Sequence, residues 1–224
     1  MTDAARILAG AGPLSEYDAK RVLAAYGLPV CREGLATTAE QAAAIAAGLG
    51  YPVVMKGCAA EVAHKTELGL VELGVADAAD AARRFAALRA RLPAGGAVLV
   101  QETVRGRREL ILGVVRDPQF GPCVSVGVGG VFAEVLDDLA LRVAPVDRDE
   151  ALAMLDDLRH RALLGPFRGE PAVDRDVLAD ALVGLSRLAL DHPRVREVDV
   201  NPLIVGGDGR PVAVDALIVL DDQT

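Results

Sequence analysis

Between Glu197 and Leu217 two largely apolar stretches flank the turn Gly206-Gly207-Asp208-Gly209-Arg210. The first is Glu197-Val198-Asp199-Val200-Asn201-Pro202-Leu203-Ile204-Val205, and the second is Pro211-Val212-Ala213-Val214-Asp215-Ala216-Leu217. Successive side chains of a strand point to opposite faces, so Glu197, Asp199 and Asn201 share one face and Val198 and Val200 the other. A hairpin folded symmetrically about Asp208 sets Asn201 opposite Asp215 and Asp199 opposite Leu217. Directly opposed residues have Cβ atoms about 4.5–5.5 Å apart. At that separation Asn201 and Asp215 can hold one hard cation through oxygen. Mg²⁺ suits such a place, because it takes one or two protein oxygens and completes its shell with water and nucleotide phosphate. Carboxylates on an apolar strand are costly to bury alone, and a metal offsets that cost. A surface hairpin with a solvated acidic face fits the same residues equally well.

Other residues offer chemistry of their own. Lys56 ends the apolar run Pro52-Val53-Val54-Met55 and can present a point charge to a phosphate, or simply snorkel to solvent. The polar segment Ala63-His64-Lys65-Thr66-Glu67-Leu68-Gly69 holds one of only three histidines. Histidine carries phosphoryl groups as well as protons, Lys65 can neutralise such a group, and Gly69 permits close backbone approach. His160 and His192 read as structural or surface residues. Gln101, Glu102, Thr103 and Val104 follow the apolar run Val98-Leu99-Val100, where main-chain groups can read the edge of an adenine ring and Glu109 can take ribose hydroxyls. A plain strand connection is the simpler reading there. The glycine-rich Gly127-Val128-Gly129-Gly130 lets backbone N–H groups approach an anion, or serves only as a tight turn. Glu134 and Arg142 come from adjacent strand candidates and can point into one cleft.

These residues need a framework, and the chain supplies one. Its 224 residues, 52% hydrophobic, suffice for one large domain or two small ones sharing a cleft. The net charge of −8 argues against nucleic acid or an anionic membrane surface as partner. Three scattered cysteines, Cys31, Cys58 and Cys123, lack zinc or disulfide spacing and read as small buried hydrophobes in a reducing compartment. The start, Met1-Thr2-Asp3-Ala4-Ala5-Arg6, does not read as a signal peptide, and no apolar run approaches the roughly 20 residues of a membrane span. A soluble, cytoplasmic protein is expected.

Helices are expected from Ser15 to Gly27, Thr38 to Gly48, Asp77 to Leu92, Asp147 to Leu164 and Asp174 to Leu190. Strands are expected at Tyr51–Lys56, Leu70–Gly74, Ala97–Glu102, Glu109–Arg116, Pro122–Gly127, Val131–Leu136 and Leu139–Val143, before the closing hairpin. The mixed α/β (α+β) pattern divides into a leader (1–11), a small α/β lobe (12–98), and a mostly antiparallel C-terminal lobe with helices (99–224).

Together the segments resemble an ATP-grasp domain, and more narrowly the β subunit of the ADP-forming acyl-CoA synthetases, such as ADP-forming acetate–CoA ligase. The resemblance is carried by Leu14-Ser15-Glu16 with Tyr26-Gly27, Tyr51-Pro52-Val53-Val54-Met55-Lys56, His64-Lys65-Thr66-Glu67-Leu68-Gly69 and Val100-Gln101-Glu102-Thr103-Val104. It continues through Glu109-Leu110-Ile111-Leu112-Gly113-Val114, Arg116-Asp117-Pro118-Gln119-Phe120-Gly121-Pro122 and Gly127-Val128-Gly129-Gly130. Leu163-Leu164-Gly165 with Arg168-Gly169, Asp199-Val200-Asn201-Pro202-Leu203 and Val214-Asp215-Ala216 complete it, in family order over nearly the whole chain.

The resemblance implies a two-lobed fold with ATP or ADP in the cleft between the lobes. It implies Lys56 on the phosphates, Gln101, Glu102 and Val104 along the adenine hinge, and Glu109 on the ribose. Asn201 and Asp215 would hold Mg²⁺ with Asp199 close by, a spacing similar to that of the succinyl-CoA synthetase β subunit. His64, beside Lys65, matches a histidine proposed to relay a phosphoryl group from a phosphohistidine on an α subunit that also carries the CoA-binding domain. The substrates implied are a small carboxylate and its acyl-CoA. Two departures stand out. Thr66-Glu67 and Leu70 replace a serine–aspartate and a paired glycine, and Leu217 replaces an arginine. They bear on turnover more than on fold. Two alternatives accompany this reading: a degenerate subunit that senses nucleotide and regulates a partner, and another ATP-grasp carboxylate ligase, which the His64-Lys65 segment disfavours.

Overall fold

The computed structural model describes residues 2–10, 12–59, 68–130 and 138–221. In chain order the elements begin with α1 (Asp3–Leu8), α2 (Glu16–Ala25), β1 (Glu33–Ala36), α3 (Ala39–Leu49), β2 (Val53–Cys58), β3 (Val71–Val75), α4 (Ala78–Arg89) and β4 (Ala97–Glu102). They continue with β5 (Arg108–Asp117), β6 (Gly121–Val128), β7 (Leu139–Val143), α5 (Arg148–Asp157), a 3₁₀ turn (Arg161–Leu164) and α6 (Arg175–Asp191). The last are β8 (Val195–Val205), β9 (Pro211–Ala213) and β10 (Leu217–Leu220). The expected Val131–Leu136 strand lies outside the described residues.

The chain forms two units. The smaller contains Ser15–Tyr17 and Cys31–Thr103. Its antiparallel sheet has the order β1-β4-β2-β3. Val53 and Met55 of β2 and Val98 and Val100 of β4 meet Ala42 and Ala46 of α3 and Ala81, Phe85 and Leu88 of α4 in its core. The small residues of α3 let the helix lie close, and burying each large apolar side chain contributes roughly 1.5–3 kcal/mol. Alternation along β2 sends Val53 and Met55 into this core and Lys56 to the other face.

The larger unit contains Met1–Leu14, Asp18–Val30 and Val104–Thr224. Its sheet has the order β10-β8-β5-β6-β7, with β9 also on β8, and every pairing is antiparallel. Leu178, Leu182, Leu185 and Ala189 of α6 pack on Leu112, Val114, Val124, Val126, Val198 and Val200 of that sheet. The opposite face therefore carries the odd-numbered residues of β5 together with Glu197 and Asp199 of β8.

Helix starts follow from short polar side chains. Thr38, Asp77, Asp147 and Asp174 each accept the backbone N–H three residues on, a cap worth about 1 kcal/mol. Three expectations change. The helix expected over Asp147–Leu164 stops at Asp157, because the buried Asp138 carboxylate accepts the N–H groups of Arg159 (2.8 Å) and His160 (2.7 Å) and turns the chain. The expected leader, residues 1–11, contains α1, which buries Ala4 and Leu8 in the larger core. The unit boundary also follows contacts rather than chain order. Ala19, Val22 and Leu23 join the larger core, while β4, paired with β1 and β2, stays whole in the smaller unit. No helix among the described residues is long and apolar enough to cross a membrane.

Candidate active site

The hairpin of the larger unit folds in the register its sequence implies. Leu203, Ile204 and Val205 pair with Ala213, Val212 and Pro211, and Asp199 pairs with Leu217. Between these ladders the Val214 N–H donates to the Pro202 carbonyl at 3.2 Å. One register thus runs the length of the hairpin and sets Asn201 opposite Asp215. On its other edge β8 slips by one residue against β5, so that Asn201 and Pro202 together oppose Ile111. Buried positions change parity across the slip, from Val198 and Val200 to Leu203 and Val205. A bulge of this kind re-aims the side chain it carries, and here that side chain is Asn201.

Burial pushes the Asp199 carboxyl above the usual carboxylate range, and the negative charges of Glu197 and Asp215 push it further. No basic side chain among the described residues draws it back down. Its cross-strand neighbour is Leu217, which cannot neutralise it. Asp215 accepts the Ala216 N–H at 2.9 Å through Oδ1. Among the described residues no three His, Cys, Asp or Glu side chains group to hold a metal. The donor set is instead hard oxygens in ones and twos, with the raised Asp199 carboxyl beside them. That set fits Mg²⁺ drawing the rest of its shell from water and phosphate. Lys20 of α2, fully buried, donates to the carbonyl of Val214 at 3.4 Å, at the residue before Asp215. Sequence reasoning passed it over, because a lysine on an amphipathic helix gives no local sign of burial.

Glu109, at the start of β5, lies beside the glycine-rich turn. Its carbonyl accepts the Gly129 N–H at 2.8 Å. A Cβ on Gly129 would sit 3.1 Å from the Glu109 and Leu110 backbone, so glycine is what allows this approach. Gly130 follows with φ +83° next to the Glu109 carboxylate. Val104 is half-buried in irregular chain. Arg142 departs from expectation. It pairs with Val124, a core residue, so it sits on the helix-packed face of the sheet and forms an ion pair with Asp157 of α5. That is the face opposite Asp199. Its expected neighbour Glu134 lies outside the described residues, as do His64 and Lys65.

In the smaller unit Lys56 is buried and donates from Nζ to Glu16 Oε1 at 2.9 Å. Gln101 is buried between Glu33 and Val54 on the neighbouring strands. Glu102 is more committed than expected. Its N–H donates to the Arg32 carbonyl at 2.9 Å, and its carboxylate accepts from the Arg32 N–H and Nε, each at 2.8 Å. The Glu102 N–H is therefore not at hand for a ring edge. Thr103 closes the strand end by donating to the Pro52 carbonyl at 2.8 Å.

Residues 7–220 match the family model of the ATP-grasp domain. Over 214 residues the chain is also 37% identical to the β subunit of ADP-forming acetate–CoA ligase I from Pyrococcus furiosus, covering 93% of this chain and 92% of that one. The chain belongs to the ATP-grasp family that includes these β subunits. It is 40% identical to ADP-forming acetate–CoA ligase I of Archaeoglobus fulgidus over 97% of its own length, but it spans only 32% of that longer relative. Among solved structures it resembles the dinucleotide-forming acetyl-coenzyme A synthetase 1 of Ca. Korarchaeum cryptofilum, at TM-score 0.80 and 35% identity over 92% of both chains. That structure was solved with coenzyme A and Mg-AMPPCP, its phosphohistidine segment pointing towards the nucleotide-binding site.

Proposed function

We propose that this chain is the nucleotide-binding β subunit of an ADP-forming acyl-CoA synthetase, acting with an α subunit that supplies the CoA-binding domain and a phosphohistidine. The reaction is acyl-CoA + ADP + phosphate ⇌ carboxylate + CoA + ATP. The likeness to the Pyrococcus furiosus β subunit over 92% of that subunit's length carries the reading. The cytoplasm is the location that goes with it.

In this reading Asn201 and Asp215, with Asp199 beside them, hold Mg²⁺. When bound, the ion neutralises charge on the nucleotide phosphates. Lys56 meets those phosphates as a point charge. Glu109 takes the ribose hydroxyls, and Gln101 and Val104 flank the adenine. His64 relays the phosphoryl group: the P–N bond to the partner's histidine breaks as a P–N bond to His64 forms. In the second step that bond breaks as the terminal oxygen of ADP bonds to phosphorus, giving ATP and restoring His64. Lys65 offsets charge on the phosphoryl group in transit. The chain, mixed with its α partner, acetate, CoA and ATP, should form acetyl-CoA with ADP and phosphate as the other products. Formation of AMP and pyrophosphate contradicts the reading.

One observation favours a second reading, a nucleotide-sensing subunit without turnover. Leu217 stands opposite Asp199 where the resemblance implies an arginine. Such a subunit binds ADP yet gives no acyl-CoA with an α partner and any small carboxylate.

A further inference from the structure

We infer that Glu16 is a positioning residue for nucleotide binding, acting through Lys56. The inference rests on the reading of Lys56 as a phosphate contact. Both residues are 5% exposed, and their side chains are 7% (Lys56) and 1% (Glu16) exposed. Lys56 leaves β2 on the face turned away from Met55 and the smaller core. A lysine carries its charge on a flexible four-carbon stem with three rotatable donors. Left to itself it samples many rotamers, and ordering it upon ligand arrival weakens binding. Here the 2.9 Å bond to Glu16 Oε1 fixes the ammonium beforehand. A bond to one acceptor also sets the direction of the remaining N–H groups. Glu16 is itself well fixed, as the first residue of the ten-residue α2, where the helix N-terminus favours a carboxylate. A buried ammonium without a counter-charge is costly, so the carboxylate also keeps this place habitable for a cation in the absence of ligand.

The same pair admits the opposite sign. If Glu16 merely occupied Lys56, an incoming phosphate would have to displace it, and removing Glu16 would tighten binding. The test is calorimetric titration of the full chain, in Mg²⁺, with ADP and with adenosine as the phosphate-free control. Wild type, Glu16→Gln, Lys56→Met and the double variant are compared, each first shown to be folded by its thermal melt. Positioning predicts that Glu16→Gln weakens ADP by about tenfold, the scale of one charge-assisted hydrogen bond. It leaves adenosine unchanged and adds nothing in the Lys56→Met background. ADP affinity unchanged or tighter in Glu16→Gln overturns the inference, and so does an equal loss for adenosine. Lys56→Met that binds ADP like wild type contradicts the phosphate reading of Lys56 instead. Should Lys56→Met fail to fold, the ADP and adenosine titrations of Glu16→Gln still decide.

Discussion

The two units treat buried charge in opposite ways. In the smaller, the Lys56 ammonium is met by the Glu16 carboxylate at 2.9 Å, both out of water. In the larger, Asp199 is pushed up by its own burial and by Glu197 and Asp215, and its cross-strand neighbour is a leucine. One place is compensated from within the fold. The other retains negative potential that an external cation would relieve. The larger unit is able to satisfy a buried acid: Asp138 accepts two backbone N–H groups and meets the His160 ring at 2.9 Å. The raised carboxyl is thus particular to Asp199, and perturbed groups of this kind cluster at functional sites.

The contrast can be broken at three places. The largest effect belongs to the compensated pair. Lys56→Met removes the ammonium that meets the buried Glu16 carboxylate and should destabilise the chain by about 3–5 kcal/mol, with a second change, Glu16→Leu, restoring most of the loss. Urea unfolding of Lys56→Met, Glu16→Leu and the double variant measures this, and a loss under about 1 kcal/mol in Lys56→Met would remove the contrast. Asp138→Ala should cost about 2 kcal/mol by orphaning the Arg159 and His160 N–H groups. Burial pushes the Asp138 carboxyl up, but the His160 and Arg159 N–H groups and the His160 ring outweigh it, and its pKa ends below the usual value. A carboxyl lowered by folding contributes stability that is complete above the unfolded value of about 4 and drains away as pH falls through the folded one. Urea midpoints between pH 5 and 2 should therefore fall more steeply for wild type than for Asp138→Ala. The smallest effect is Leu217→Arg, which gives Asp199 a cross-strand cation. In the absence of divalent metal it should raise stability by about 0.5 kcal/mol, a modest gain because position 217 is 43% exposed. The gain should vanish in an Asp199→Asn background.

Much of this was legible in the chain because it is local. Asn201 faces Asp215 because the glycine-rich turn centres on Asp208, and helix starts could be read at Thr38, Asp77, Asp147 and Asp174 because a cap acts within one turn. What escaped depends on partners distant in sequence. The bulge at Asn201 exists only against β5, which starts at Arg108, and the stop after Asp157 depends on Asp138. The partner of Lys56 lies 40 residues away on another element. Arg142 was misplaced for a related reason. Strand parity says which residues share a face, but not which face the helices cover.

The central proposal is that Asn201 and Asp215 of the larger unit's hairpin bind a magnesium nucleotide. Calorimetric titration of ADP into the chain, with Mg²⁺ and with EDTA, for wild type and Asp215→Ala, addresses it directly. The account predicts binding by wild type in Mg²⁺ that weakens at least tenfold in EDTA and in Asp215→Ala. Equal ADP affinity under all four conditions would contradict it.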